Sequence, residues 1–333
     1  MRATGSRPQA SANGPRPLLK WAGGKRQLLP EIRRFYPASF DQYWEPFLGS
    51  GAVFFDLDAS GRLASHPVRL LDSNPDLIAC YESVRNAPEA VVAALERLAV
   101  ERRQHGDAHY YDVRDRRFNP LRTALGLKSA IGSPKPNADL RDLCGEDLTP
   151  LRYTPELAAM LIYLNRTGFN GLFRLNAAGR FNVPVGRYEK PRICDADNLR
   201  RVAATLNRPG VTLMCLTFDR VLDDARAGDF LYFDPPYAPV SRTAQFTSYT
   251  ANGFGPAEQR RLQQVVIELA RRGCQVLLSN STTGEISDLY ERDDTAKKAG
   301  LRCYRVPARR AINSNAARRG PVAEFLITNI PRF

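Results

Sequence analysis

The segment from Asp41 to Gly61 constrains the fold more than any other: "DQYWEPF", then "LGSG", then "AVFFDLDASG". It reads as a short strand, a glycine turn at Gly49 and Gly51, and a helix. A second strand, "PVRLLD", follows and ends at Asp72, before a helix-like "PDLIACYESVR". Strand, tight turn, helix and strand in that order form a β-α-β unit, which begins a parallel sheet. In an open sheet of this kind, ligands settle in the crevice at the carboxyl ends of the strands.

Short apolar runs resume late in the chain as "FLYFDPPY", "CQVLLSN" and "EFLITN". Between the first two lies "PAEQRRLQQVVIELARRG", whose Leu262, Val265, Val266 and Leu269 keep helical spacing and whose Gly273 supplies a C-terminal stop. Strands alternating with helices at both ends of the sequence predict a doubly wound α/β domain. Residues 86–190 have a different texture, rich in Arg, Asn, Tyr and Phe, and are expected to be an inserted, largely helical unit. Within it, residues 120–155 are dense in Pro, Gly and Asp and read as an excursion or mobile loop. Residues 1–17, with no hydrophobic period, read as a disordered basic tail. The catalytic unit is then expected over 18–85 and 191–333.

Composition narrows the function. No apolar run is long enough to span a bilayer and no apolar stretch follows Met1, so the expectation is a cytoplasmic protein without membrane attachment. Six scattered cysteines without a C-x-x-C pair read as reduced thiols, and three histidines leave little for a metal centre. His105 and His109 are read as solvated polarity, not ligands, and no metal is expected. The net charge of +13 suits a polyanionic partner, although an arginine-rich genome would also produce it.

Gly49 and Gly51 with Asp72 downstream fit a nucleotide-like ligand, the acid standing where ribose hydroxyls are bound; a tight turn without ligand explains the glycines equally well. No third glycine completes a dinucleotide fingerprint, which leans against NAD. Upstream, "LKWAGGKRQLLP" sets a Trp, two glycines and lysines before a helix, as an anion or carboxylate site or simply as a staple with solvated charges. The decisive stretch is "FLYFDPPYAPV", a buried strand ended by an acid, two prolines and a tyrosine. An exocyclic adenine amine is a poor nucleophile because its lone pair is delocalised. The Asp234 carboxylate and the Pro235 carbonyl can accept its two hydrogens and free that pair, with Pro235 and Pro236 stiffening the backbone and Tyr237 offering a stacking face. Catalysis then rests on positioning.

Taken together, "LKWAGGK", "EPFLGSGAVF", "DSNPDLI", "YLNRTGFNGLFRLNAAGRFNVPVGRY" and "FDPPYAPVSRTAQFTSYT" resemble the Dam-type (D12 class, alpha group) DNA adenine-N6 methyltransferases, in order from about Leu18 to Asn329. The resemblance implies a Rossmann-like methyltransferase sheet with an inserted target-recognition unit, S-adenosyl-L-methionine as donor, and a flipped-out adenine of double-stranded DNA as acceptor, within GATC or a site containing GAT. It implies cofactor contacts from Trp21, Lys25, Asp72 and Asp234, with Phe47, Gly49 and Gly51 at the turn and Phe218 against the cofactor adenine. Lys20, Leu172, Arg174, Asn176, Pro184 and Tyr188 match base-reading positions, and Phe169 with Asn170 matches the pair that enters the duplex. Phe169 replaces the family's usual Tyr, keeping stacking and losing a hydroxyl. Arg166 and Arg187, with the basic run from Ala308 to Gly320, are expected on phosphates. A cognate restriction endonuclease at the same site is left open.

Two other readings compete. An RNA or other planar-amine methyltransferase would share the X-P-P-Y motif but would not need the NRTGFNGLFR-type segment. A non-catalytic DNA-binding protein would keep the fold, but Trp21, Lys25, Asp72 and Asp234 argue against it.

Overall fold

The computed structural model describes residues 14–21, 23–127, 153–237, 254–309 and 321–331. The tail over 1–13, most of the excursion (128–152), the "SRTAQFTSYT" part of the last motif and the basic run over 310–320 lie outside the described residues.

Among the described residues seven strands form one sheet: β1 (Tyr43–Glu45), β2 (Val68–Asp72), β3 (Val211–Cys215), β4 (Phe230–Phe233), β5 (Gln275–Ser281), β6 (Arg302–Arg309) and β7 (Pro321–Thr328). Their order is β3-β2-β1-β4-β5-β7-β6. Strands β1 to β5 pair in parallel, while β7 runs antiparallel to both β5 and β6. The sheet is therefore mixed at one end, because β6 and β7 follow one another as a hairpin. From β1 the chain winds outward through β2 to β3, then returns to lay β4 on the other side of β1, with Tyr43 beside Phe230. That reversal leaves the crevice between the carboxyl ends of β1 and β4, the place the open-sheet rule assigns to ligands.

Both faces of the sheet are covered, which is why β4 reads as an unbroken apolar run with all four residues buried. Successive side chains alternate faces. Tyr43, Leu70, Phe230, Tyr232 and Leu277 join the larger core, and Trp44, Leu71, Leu231, Phe233 and Leu278 the smaller. On the first face lie α1 (Ala52–Ala59), α2 (Pro75–Asn86), α3 (Pro88–Asp112), α5 (Pro155–Thr167) and α6 (Ala196–Leu206). On the second lies α7 (Pro256–Arg271), through Leu262, Val265, Val266 and Leu269.

Helix α2 starts where its sequence dictates. Asn74 accepts from the Asp76 and Leu77 amides, and Pro75 occupies the first turn, where its missing N–H costs nothing. Inside that turn Asp76, fully buried, receives Arg122 Nε at 3.0 and 2.8 Å, from the short helix α4 (Asn119–Ala124). Burial pushes the Asp76 carboxyl up and Arg122 draws it back. His109 corrects the reading as solvated polarity: it is buried, Nδ1 standing 3.0 Å from Tyr163 Oη and Nε2 2.8 Å from Glu101. Helix α3 packs on α5, and that packing turns His109 inward. Apart from a single 3-10 turn at Phe169–Gly171, residues 168–190 carry no helix; bridges Gly168–Val185 and Leu175–Phe181 tie them into an open antiparallel loop.

Candidate active site

Three strand ends meet at the crevice. After β1, the chain turns at Gly49 and Gly51, both at positive φ (47° and 66°), a region that disfavours residues carrying a Cβ. A Cβ on Gly49 would stand 3.0 Å from Trp21 Cδ1, so the turn is also sealed by the Trp21 ring. After β2, Asp72 holds that turn in place: Oδ2 accepts from the Gly49 amide at 3.0 Å and Oδ1 from the Asn74 amide at 2.9 Å. Burial raises the Asp72 carboxyl to about 6 against the pull of those two amides. Its expected place at the end of the second strand is observed, together with a supporting role that spacing alone does not reveal.

After β4 comes Asp234. Lys25, buried at 5% exposure, brings Nζ to 2.8 Å from Asp234 Oδ1 and 4.5 Å from the Tyr237 ring centre. Ser279 Oγ on β5 donates to the same Oδ1 at 3.1 Å. Burial pushes the Asp234 carboxyl up, and Lys25 opposes it. Tyr237 Oη donates to Glu324 Oε2 on β7 at 2.8 Å, and the Pro236 carbonyl accepts from Gln259 Nε2 at 3.0 Å. Two acceptors remain, Asp234 Oδ2 and the Pro235 carbonyl, to which no described residue donates. A carboxylate oxygen and a neighbouring carbonyl, held from several sides, suit a planar –NH₂ group.

Beside them, Phe47 and Phe218 stack at 5.3 Å with Phe254 against both. The expected pair is brought together; Phe254, which follows the described end of the motif region, carried no sequence signal. Beneath the site, Glu45 at the end of β1 is buried, accepting from Tyr43 Oη at 2.7 Å and the Phe54 amide at 2.9 Å. Burial drives its carboxyl to about 8.

The remaining expected residues gather on the 168–190 loop and the strap before Trp21. Phe169 is 46% exposed, and Asn170 adopts the left-handed conformation (φ 54°) with its side chain outward. Lys20, Arg174, Asn176, Pro184 and Arg187 are exposed, Leu172 and Tyr188 half-buried. Lys20 Nζ sits 3.9 Å over the Tyr188 ring. Arg174 Nε donates to Asn182 Oδ1, and Asn176 Oδ1 caps the turn by accepting from Ala178 and Arg180. The Arg166 guanidinium donates to the Leu18 and Arg192 carbonyls, which ties the strap to the loop's exit.

Side chains to which the sequence assigned no role hold this loop. Asn165, 1% exposed, exchanges hydrogen bonds with the Lys20 backbone at 2.8 Å in both directions and donates to Gly171. Asn119 does the same for Phe181, and Tyr110 Oη and Arg114 both donate to the Val183 carbonyl. Among the described residues no group of three or more His, Cys, Asp and Glu is arranged to hold a metal, and no helix is long and apolar enough to cross a membrane.

Comparison with known proteins places these features in one family. Residues 21–306 match the model of the D12 class N6 adenine-specific DNA methyltransferase. The chain is 33% identical over 314 residues to the Type II methyltransferase M1.LlaDCHI of Lactococcus lactis, covering 94% of this chain and 95% of that one. It is 34% identical over 317 residues to the DNA adenine methylase of Vibrio cholerae (95% and 96% covered). It is 32% identical over 311 residues to that of Escherichia coli (93% and 94%).

Proposed function

The chain belongs to the D12 class of N6 adenine-specific DNA methyltransferases, and from that premise we propose that it draws the methyl group from S-adenosylmethionine and acts on adenine within GATC. The observation that carries the proposal is the pair of acceptors to which no described residue donates, Asp234 Oδ2 and the Pro235 carbonyl, at the crevice between β1 and β4.

The groups around the crevice fit an adenosylated, zwitterionic cofactor. Phe47 and Phe218 offer ring faces for an adenine, Asp72 a carboxylate for ribose hydroxyls, and Trp21, Lys25 and the glycine turn the floor for the amino-acid end. S-adenosylmethionine supplies an electrophilic methyl on a sulfonium. The chain's own part is to hold the amine. Asp234 Oδ2 and the Pro235 carbonyl accept its two N–H hydrogens, which localises the lone pair, and Asp234 stands where it can take the proton the nitrogen sheds. Tyr237 stacks on the base and Pro236 keeps the backbone still. The enhancement is one of positioning.

An adenine inside a duplex cannot reach this crevice, so it is extruded from the stack. Phe169 and Asn170, projecting outward, enter the space it leaves. Lys20, Leu172, Arg174, Asn176, Pro184 and Tyr188 read the flanking bases, and Arg187 contacts phosphate. Residues 86–190 act as the target-recognition unit, and 18–85 with 191–333 as the catalytic unit, in the cytoplasm. The Type II name of the Lactococcus lactis relative supports a cognate restriction endonuclease at the same site.

The test is transfer of labelled methyl from S-adenosylmethionine to two short duplexes, one with GATC and one with that site scrambled. Label on adenine in the GATC duplex alone is expected. Label in both would overturn the site reading, and label in neither, the donor or the site.

A further inference from the structure

Among the described residues, three separate anchors hold Asp234 to Tyr237. Lys25 and Ser279 take Asp234 Oδ1, Glu324 takes Tyr237 Oη, and Gln259 takes the Pro236 carbonyl. The third has a structure of its own. Gln259 lies in the first turn of α7 and is 1% exposed, and Asn280 on β5 is fully buried. The Ser281 amide donates to Asn280 Oδ1 at 2.8 Å, and Asn280 Nδ2 donates to Gln259 Oε1 at 3.0 Å. Gln259 Nε2 then donates to the Pro236 carbonyl at 3.0 Å.

The direction of this relay is forced. A backbone N–H can only donate and a carbonyl can only accept, so two side-chain amides in series between them have one self-consistent orientation. Reversing either would face oxygen to oxygen or nitrogen to nitrogen inside the core, which costs about 1–3 kcal/mol per orphaned group. Neither proline has an N–H, so Pro235 and Pro236 contribute no backbone donor of their own to the surrounding hydrogen bonds.

We propose that Gln259 is a positioning residue for methyl transfer: through the Ser281–Asn280–Gln259 relay it holds the Pro236 carbonyl and so fixes the Pro235 carbonyl as the second acceptor for the target amine. The proposal rests on the role given above to the Pro235 carbonyl. Gln259 belongs to α7 and Asn280 to β5, so the relay sets the acceptor against the rigid part of the fold, where a small displacement of the amine is costly in rate.

The experiment compares wild type, Gln259→Met and Gln259→Glu in single-turnover methyl transfer from S-adenosylmethionine to unmethylated plasmid DNA. Cofactor and DNA dissociation constants and melting temperatures are measured alongside. At pH 9.5 both variants are expected to transfer at least about tenfold more slowly, because neither side chain can then donate to Pro236, with both dissociation constants within about twofold of wild type. As pH is lowered, the Gln259→Glu rate relative to wild type recovers, since the introduced carboxyl regains a donor on protonation. The Gln259→Met ratio stays flat. Should Gln259→Met fail to fold, the Gln259→Glu pH profile decides.

Variants that transfer at wild-type rates overturn the proposal. So do rate losses matched by equal losses of affinity and melting temperature without pH recovery, which mark a merely structural residue. Absence of transfer by wild type overturns the functional reading itself and this inference with it.

Discussion

Lys25 Nζ lies 2.8 Å from Asp234 Oδ1, joining the glycine-containing strap before β1 to the end of β4. The pair does two things at once. It commits one carboxylate oxygen, and it opposes the upward push that desolvation gives this half-buried acid. Burial alone pushes the Asp234 carboxyl up, and Lys25 is the largest influence opposing it.

Lys25→Met should therefore shift the acid limb of the pH–rate profile for methyl transfer to higher pH. Each unit of upward shift lowers the ionised fraction about tenfold on the acid side. Single-turnover rates between pH 6 and pH 9 check this, and an unmoved limb would separate Lys25 from the ionisation of Asp234.

Asp72 titrates at about 6, so it is ionised at neutral pH and becomes protonated below that value. Protonation turns one oxygen into a donor and weakens the carboxyl as an acceptor for ribose hydroxyls and for the Gly49 and Asn74 amides. Affinity for S-adenosylmethionine should be level above about pH 7 and fall toward tenfold per unit below pH 6. Calorimetric titration at four pH values measures it, with Asp72→Asn expected to bind weakly and without that slope.

Glu45, with its carboxyl near 8, is protonated in the folded protein at neutral pH and ionised when unfolded. A raised acid contributes stability that is fully present below its unfolded value and is lost as pH rises through its folded one. Wild type should thus lose melting temperature between pH 5 and pH 8.5, and Glu45→Gln, which keeps an acceptor for Tyr43 and Phe54, should flatten that slope. Parallel pH profiles of the two proteins would contradict the assignment.

Arg174 is exposed on the 168–190 loop, with its Nε lodged on Asn182. Arg174→Ala should cost about 1–3 kcal/mol of discrimination at a single guanine while leaving methylation of the preferred site measurable. Competition among duplexes that vary one base at a time reads this directly.

The Arg122–Asp76 pair carries no chemistry but should be worth testing for the fold. Both partners are buried (2% and 0% exposed), so Arg122→Leu leaves a carboxylate alone in the core and should destabilise by about 3–5 kcal/mol. Replacing both with apolar residues should recover most of that loss in denaturant unfolding.

Local signals made much of this legible in the sequence. The apolar run Phe230–Phe233 ends in an acid because a central parallel strand is buried on both faces and then opens on the crevice. Gly49 and Gly51 are legible because their backbone conformations disfavour a Cβ. Strands β3 and β6 were not legible. "VTLMC" is half-buried at one edge of the sheet and "RCYRVPAR" lies at the other, so neither shows the continuous apolar run of a central strand. Nor do Gln259, Asn280, Asn165 and Asn119 announce themselves. Each is a polar residue in or beside a regular element, and only the packed fold reveals what it reaches. His109 misled for the same reason: helical spacing does not say that the face it lies on is covered by α5. Asp72, expected as a ligand for a cofactor, also supports the turn beneath it, a pairing across β1 and β2 that spacing does not encode.

The most direct test of the site is Asp234→Ala, read for methyl transfer and DNA affinity together. The expected result is a loss of at least about a hundredfold in single-turnover rate with DNA affinity nearly unchanged, since Asp234 holds the amine and does not grip the duplex. Rate and DNA affinity falling by equal factors would contradict that role.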